Sequence, residues 1–169
     1  YPQNDQVETR VGARMSVLEI VTWPDVRLTT VCDPVETRSP EIDRLIADML
    51  ETMYAALGRG LAAPQVGRTE RIFVFDAGWK TGTPTPVACI NPQILRLSDT
   101  RAIGEEGCLS IPGVPMNIPR ATEVTLRWTD ANGTHEREFT GAEAVIVQHE
   151  YDHLDGVVIY DRVEQEKSQ

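Results

Sequence analysis

Six residues near the carboxyl end, Gln148-His149-Glu150-Tyr151-Asp152-His153, restrict this chain more than any other stretch of it. They contain the pattern His-Glu-x-x-His, which makes chemical sense on a helix. Residues four apart on an α-helix lie about 40° apart around the axis and ~6 Å along it. His149 and His153 therefore leave from one face and can converge on one ion. Glu150, beside the first histidine, can reach a water held by that ion. A divalent metal lowers the pKa of such a water toward ~7, and a neighbouring carboxylate can take its proton and pass it to a leaving group. The segment AEAVIVQHEYDHLDG suits a helix starting near Gly141, with an apolar body and a glycine just after its end.

The competing explanation is a helix that shows two histidines and a glutamate to solvent, because the pattern fixes only three positions. The chain has 3 histidines in all, and two of them fall in this motif. Val145-Ile146-Val147 just before His149 points to burial, where unpaired polar groups are costly. A metal would give a buried histidine pair its partner.

A length of 169 residues suits one domain with one continuous core. No linker or repeat divides it, so residues 15–169 are read as a single catalytic domain. Residues 1–14 are polar and end just before Met15; they read as an extension, a processing remnant or added residues. No apolar run reaches the ~18 residues of a membrane span. A net charge of −10, with no cluster of Lys and Arg, argues against direct nucleic-acid binding. Three cysteines at wide spacing argue for a reducing compartment. Cys32 and Cys89 sit in apolar, strand-like company and read as small core residues.

Ser39 to Leu57 is the clearest helix: Ser39 can cap it, Pro40 suits its first position, and Ile42, Leu45, Ile46, Met49, Leu50 and Met53 make one apolar face. Gly58 is the expected stop. RIFVFDA and VACINPQIL read as strands. Glu123 to Trp128 alternates, and Asn132-Gly133 predicts a hairpin with His135 to Phe139 as the return strand, His135 being exposed. The fold class is α+β: short antiparallel or mixed strands around a central C-terminal helix carrying the histidine motif.

A catalytic site of this kind needs a third protein ligand. Glu164 and Glu166 follow the helix but sit in a polar tail. Upstream, Glu106-Gly107-Cys108-Leu109-Ser110 offers a thiolate, an excellent ligand for zinc or ferrous iron.

Three segments together resemble the peptide deformylase family: GRGLAAPQ at Gly58 to Gln65, EGCLS at Glu106 to Ser110, and QHEYDH at Gln148 to His153. They stand in the family's order, and the similarity runs from Met15 to about Val163. The resemblance implies removal of the formyl group from N-formylmethionine of new polypeptides. It implies Cys108, His149 and His153 as ligands of one divalent ion, Fe2+ first, with Zn2+, Ni2+ or Co2+ able to substitute. Glu150 would be the acid/base, and the Gln65 side chain and Leu109 N–H would stabilise the oxyanion. Gly58, Arg59, Gly60, Glu106 and Gly107 would contact substrate, with Gly60 letting the backbone come close to it. Glu106 and Arg120 would pair behind the Cys108 loop, and Asp152 would orient a ligand histidine.

The family further implies a monomer acting on formyl-methionyl peptides or nascent chains, in a bacterial cytoplasm or an organellar stroma or matrix. Some relatives dock on the ribosome through a basic C-terminal helix. This chain ends in VEQEKSQ, so that contact is expected to be absent or different.

Two departures bear on peptide choice. Arg59 stands where a small aliphatic residue is usual, and Pro115 stands where many relatives have an arginine. Arg59 is expected to replace that arginine in part and to favour an acidic group soon after the methionine. The rival functions are an endopeptidase, which would need a downstream ligand and a long cleft, and a binding module that has lost catalysis, which the intact site residues oppose.

Overall fold

The structure, a computed structural model, describes residues 16–163. Residues 1–14 and the alternative ligands Glu164 and Glu166 lie outside that range. Two helices and two antiparallel sheets organise it. Helix α1 spans Pro40–Ala55, and helix α2 spans Gly141–Leu154 and carries both motif histidines. The strands are β1 (Gly60–Ala62), β2 (Ile72–Phe75), β3 (Val87–Leu97), β4 (Arg101–Cys108), β5 (Ile111–Ala121), β6 (Glu123–Asp130) and β7 (Gly133–Thr140). Five of them form a sheet in the order β1-β2-β3-β6-β7, while β4 and β5 form a separate hairpin. The α+β expectation holds.

The large sheet lies between the two helices, and β2 shows why. Side chains alternate across a strand, so Phe73 and Phe75 meet the α2 side with Val124, Leu126, Phe139 and Val147. Ile72 and Val74 meet Leu45, Met49 and Met53 of α1 on the other side. All four β2 residues are fully buried. At roughly 1.5–3 kcal/mol for each large apolar side chain removed from water, this strand anchors both layers. Apolar neighbours thus enclose α2, which places His149 and His153 in the interior. Among the described residues no helix is long and apolar enough to cross a membrane.

Helix α1 begins where expected: the Ser39 hydroxyl accepts from Ile42 N–H at 3.3 Å. Its end differs. Leu57, not Gly58, takes the left-handed conformation at φ 60°, while Gly58 N–H closes back on the Met53 carbonyl at 2.9 Å. A non-glycine residue there is strained. Gly58 is needed for another reason, since a Cβ on it would lie 2.8 Å from Leu109 Cδ1.

The β6–β7 turn is displaced by one residue from the expected Asn132-Gly133 pair. Asp130 pairs with Gly133, leaving Ala131 and Asn132 at the tip. The Asp130 carboxylate decides this by accepting from Asn132 N–H and from His135 Nε2, each at 2.7 Å. His135 is consequently half-buried and stacked on Trp128, with ring centroids 5.3 Å apart, where the sequence suggested an exposed residue.

Candidate metal centre

The hairpin β4–β5 delivers Cys108 to α2. Its Sγ lies 3.5 Å from His153 Nε2, and the donor atoms of Cys108, His149 and His153 all fall within 4.8 Å of one another. All three residues are buried, which excludes a pair of surface histidines. His149 donates from Nδ1 to Glu106 Oε1 at 2.9 Å, leaving its Nε2 to face a ligand. His153 Nδ1 and Glu150 Oε1 are buried with no hydrogen-bond partner among the described residues. Buried polar atoms normally find partners. Glu150 lines the cavity, so its Oε1 is open to whatever the cavity holds, whereas His153 Nδ1 lies across the ring from the Nε2 that faces Cys108.

The electrostatics agree. Burial disfavours a charged imidazole at His149, yet Glu150 beside it and hydrogen bonding with Cys108 and Glu106 outweigh burial and hold the group up at about 10. The groups that favour positive charge on His149, Glu150, Cys108 and Glu106, are electronegative neighbours that would also attract a cation. Burial and the charge on His149 push His153 well down, which leaves a neutral imidazole able to ligate. A soft thiolate with two imidazoles suits zinc or ferrous iron and is a poor match for magnesium or calcium. The residues present therefore fit a metal ion.

Behind the donors runs a chain of buried charges. Arg120 grips Glu106 with two hydrogen bonds, at 2.9 and 3.0 Å, and donates to Asp152 Oδ2 at 2.6 Å. Asp152 in turn accepts from Arg162 at 3.1 and 3.0 Å. Burial alone would raise Glu106, but His149 and Arg120 hold its carboxyl below its usual value. The pair of solvated charges that Glu106 and Arg120 could have been is ruled out, since they are only 7% and 5% exposed.

In front of the donors opens a cavity of about 560 Å³. Gln65 stands at its edge with a determined orientation. Its Oε1 accepts from Ala62 N–H at 2.9 Å, so its amide N–H groups must face the other way, toward Ser110 Oγ at 3.2 Å and Cys108 Sγ at 3.6 Å. Glu150 is buried on the cavity floor. Burial drives its carboxyl up to about 7, against the opposing charge of His149. Converging donors, a buried carboxylate and an oriented amide on one cavity are the parts of a hydrolytic centre.

The sequence model of the family described as polypeptide deformylase matches residues 17–169. The chain belongs to the polypeptide deformylase family. It is 47% identical over 148 residues to a peptide deformylase of Alkalilimnicola ehrlichii, covering 87% of this chain and 82% of that one. With the peptide deformylase of Roseiflexus castenholzii it shares 46% identity over 149 residues, 80% of each protein. Among solved structures it resembles the Thermotoga maritima peptide deformylase, with a TM-score of 0.83, 39% identity and coverage of 89% of this chain and 99% of that one. The Legionella pneumophila enzyme is similar too, at a TM-score of 0.83 and 37% identity over 88% of this chain and 87% of the other.

Seen as a deformylase, the molecule brings most of the expected residues together and reassigns several. Gly58, Arg59, Gly60, Glu106, Gly107 and Leu109 all line the cavity. Glu106, expected to touch substrate, has both carboxylate oxygens engaged by His149 and Arg120, so its side chain serves the metal centre. Asp152 orients no histidine; it holds Arg120, and Glu106 takes the orienting part. Gly60 makes room for the Glu150 side chain, because a Cβ on it would sit 2.5 Å from Glu150 Oε2. Ser110, Arg162 and Lys80 were missed. Ser110 lay inside the EGCLS motif and could have been named, whereas nothing local to Arg162 or Lys80 points to the site.

Proposed function

We propose that this deformylase acts on the N-formylmethionine of new polypeptides, holding ferrous iron through Cys108, His149 and His153 within one catalytic unit of residues 15–169. The convergence of those three donors beside the buried Glu150 carboxylate carries the reading. When bound, a divalent ion supplies Lewis acidity, polarising the formyl oxygen and making a water acidic enough to ionise near neutral pH. Glu150 takes the proton as a water oxygen bonds to the formyl carbon. It then returns that proton to the amine nitrogen as the C–N bond breaks, releasing formate and a free amino terminus. Burial, which raises the Glu150 carboxyl above its ordinary range, suits a group that must both take and return a proton.

Negative charge builds on the formyl oxygen during attack. Gln65 Nε2–H and Leu109 N–H are the proposed donors to it, and the Ala62 contact holds the Gln65 amide ready for that use. Glu106 keeps His149 in the tautomer that ligates through Nε2. The reading describes a monomer working in a bacterial cytoplasm or an organellar stroma or matrix, wherever formylated chains are made.

The test is formate release from a formyl-methionyl tripeptide by protein purified without oxygen, beside its acetylated counterpart. Formate from the first and no internal fragments from either are expected, with activity lost to a chelator and restored by ferrous ion. Fragments without formate would make the protein an endopeptidase instead.

The ligand set has its own test in the cysteines. Cys108→Ala should lose at least ten- to a hundredfold in metal affinity, with activity following. Cys89→Ala should keep its metal and lose only some packing. Loss of metal in the second and retention in the first, read by elemental analysis, would replace the third ligand.

A further inference from the structure

Among the described residues nine arginines are paired with a carboxylate and Arg44, Arg59 and Arg101 are not; Arg59 and the unpaired Lys80 are the two of these cations that line the cavity, in a chain of net charge −10. Both are exposed, and both line the cavity in front of the metal centre. They belong to one wall. Trp79 Nε1 donates to the Gly58 carbonyl at 2.9 Å and packs its ring edge on Tyr54, at 5.1 Å between centroids. Asp76 N–H donates to the Arg59 carbonyl at 2.9 Å, so the segment from Asp76 to Lys80 is tied to the Gly58–Arg59 turn at both ends. Lys80 lies over the Trp79 ring at 5.8 Å, which limits how far its ammonium can wander.

The facing wall is the β4–β5 hairpin, where Pro115 brings no charge and Glu105 is the exposed carboxylate. The remaining carboxylates at the cavity, Glu106 and Glu150, are buried on its floor. A peptide with its formyl end at the floor passes between a cationic wall and a weakly acidic one on its way out.

We propose that Arg59 and Lys80 together select formyl-methionyl peptides that bear a carboxylate side chain on one of the two residues after the methionine. The proposal rests on the deformylase reading and adds a substrate class to it. An exposed ion pair is worth about two- to fivefold in binding, so two cations acting on one carboxylate give roughly three- to tenfold. The carboxylate is remote from the reacting carbon and is held alike in ground and transition states. The preference therefore falls in KM. Glu105 works against it from the other side.

The experiment compares kcat/KM for formyl-Met-Asp-Ala amide and formyl-Met-Asn-Ala amide, and for the pair with Asp or Asn one residue later. Each pair is run at low salt and at about 0.5 M salt, where exposed charges are screened. Expected are a roughly three- to tenfold advantage for at least one Asp peptide at low salt, carried by KM, and its decline at high salt. The double variant Arg59→Gln with Lys80→Gln should bring the Asp-to-Asn ratio to about one or below, since Glu105 remains, and Glu105→Gln in the parent should raise it. All three residues are exposed, so the variants are expected to fold. A ratio near one for both pairs at low salt, or a ratio unmoved in the double variant, overturns the proposal. Failure to release formate from any of the peptides overturns the deformylase reading itself, and the preference with it.

Discussion

Glu150→Ala is expected to fill its metal site nearly normally and to hydrolyse formyl-methionyl peptides ~10²–10⁴-fold more slowly. In the proposed reaction the carboxylate moves protons and is not among the three donors, so occupancy and turnover should separate. Its surroundings add a second expectation. Glu150 is 5% exposed, and its Oε1 has no partner among the described residues. A buried carboxylate with an unmet oxygen costs stability, so the variant should unfold at an equal or higher urea concentration than the parent. Catalytic groups held at the expense of stability behave in this way. Activity above about a tenth of the parent's would remove Glu150 from its role. A large fall in stability would show that the carboxylate has a structural partner.

The second large effect belongs to a residue that touches no substrate. Arg120→Met should destabilise the fold by ~3–5 kcal/mol, since it strips buried Glu106 of its guanidinium and takes one from Asp152. Asp152 keeps Arg162, so the damage centres on Glu106. Beside the His149 contact, Arg120 is the other group that holds Glu106 below its usual carboxyl value, and without its two hydrogen bonds the carboxylate that orients His149 Nδ1 is no longer fixed in place. Metal affinity should fall about ten- to a hundredfold in consequence. Urea unfolding and competition with a chelator read the two effects separately. Arg162→Met should cost less, because that side chain is 46% exposed at the rim of the cluster. A loss below about 1 kcal/mol for Arg120→Met, with metal affinity unchanged, would mean that the ion chain supports nothing.

Local periodicity made much of the fold legible. Helix α1 starts at its serine cap as expected, β6 buries Val124, Leu126 and Trp128 in alternation, and Cys32 and Cys89 are core residues. The errors fall where a side chain competes with a backbone preference. Asp130 moved the hairpin turn by one residue, and the close approach of Leu109 claimed the glycine expected to end α1. The Leu109 approach has no signature near Gly58, whereas Asp130 is a local turn signal, two residues before Asn132, that outcompeted the Asn-Gly preference.

The sequence by itself determined the phase of His149 and His153 on one helix, the acid placed between them and the soft thiolate type of the third donor. These are matters of spacing and residue chemistry. Three motifs in one order were enough to name the family. Tertiary structure alone decided that Cys108, 45 residues before His153, comes within 3.5 Å of it. It also made Glu106 rather than Asp152 the partner of His149, and brought Lys80 to the same wall as Arg59. The reason is one of range. Helix and strand periods constrain neighbours within a few residues, whereas these contacts arise where a hairpin, a sheet edge and a helix pack together, and no repeat in the chain encodes that meeting.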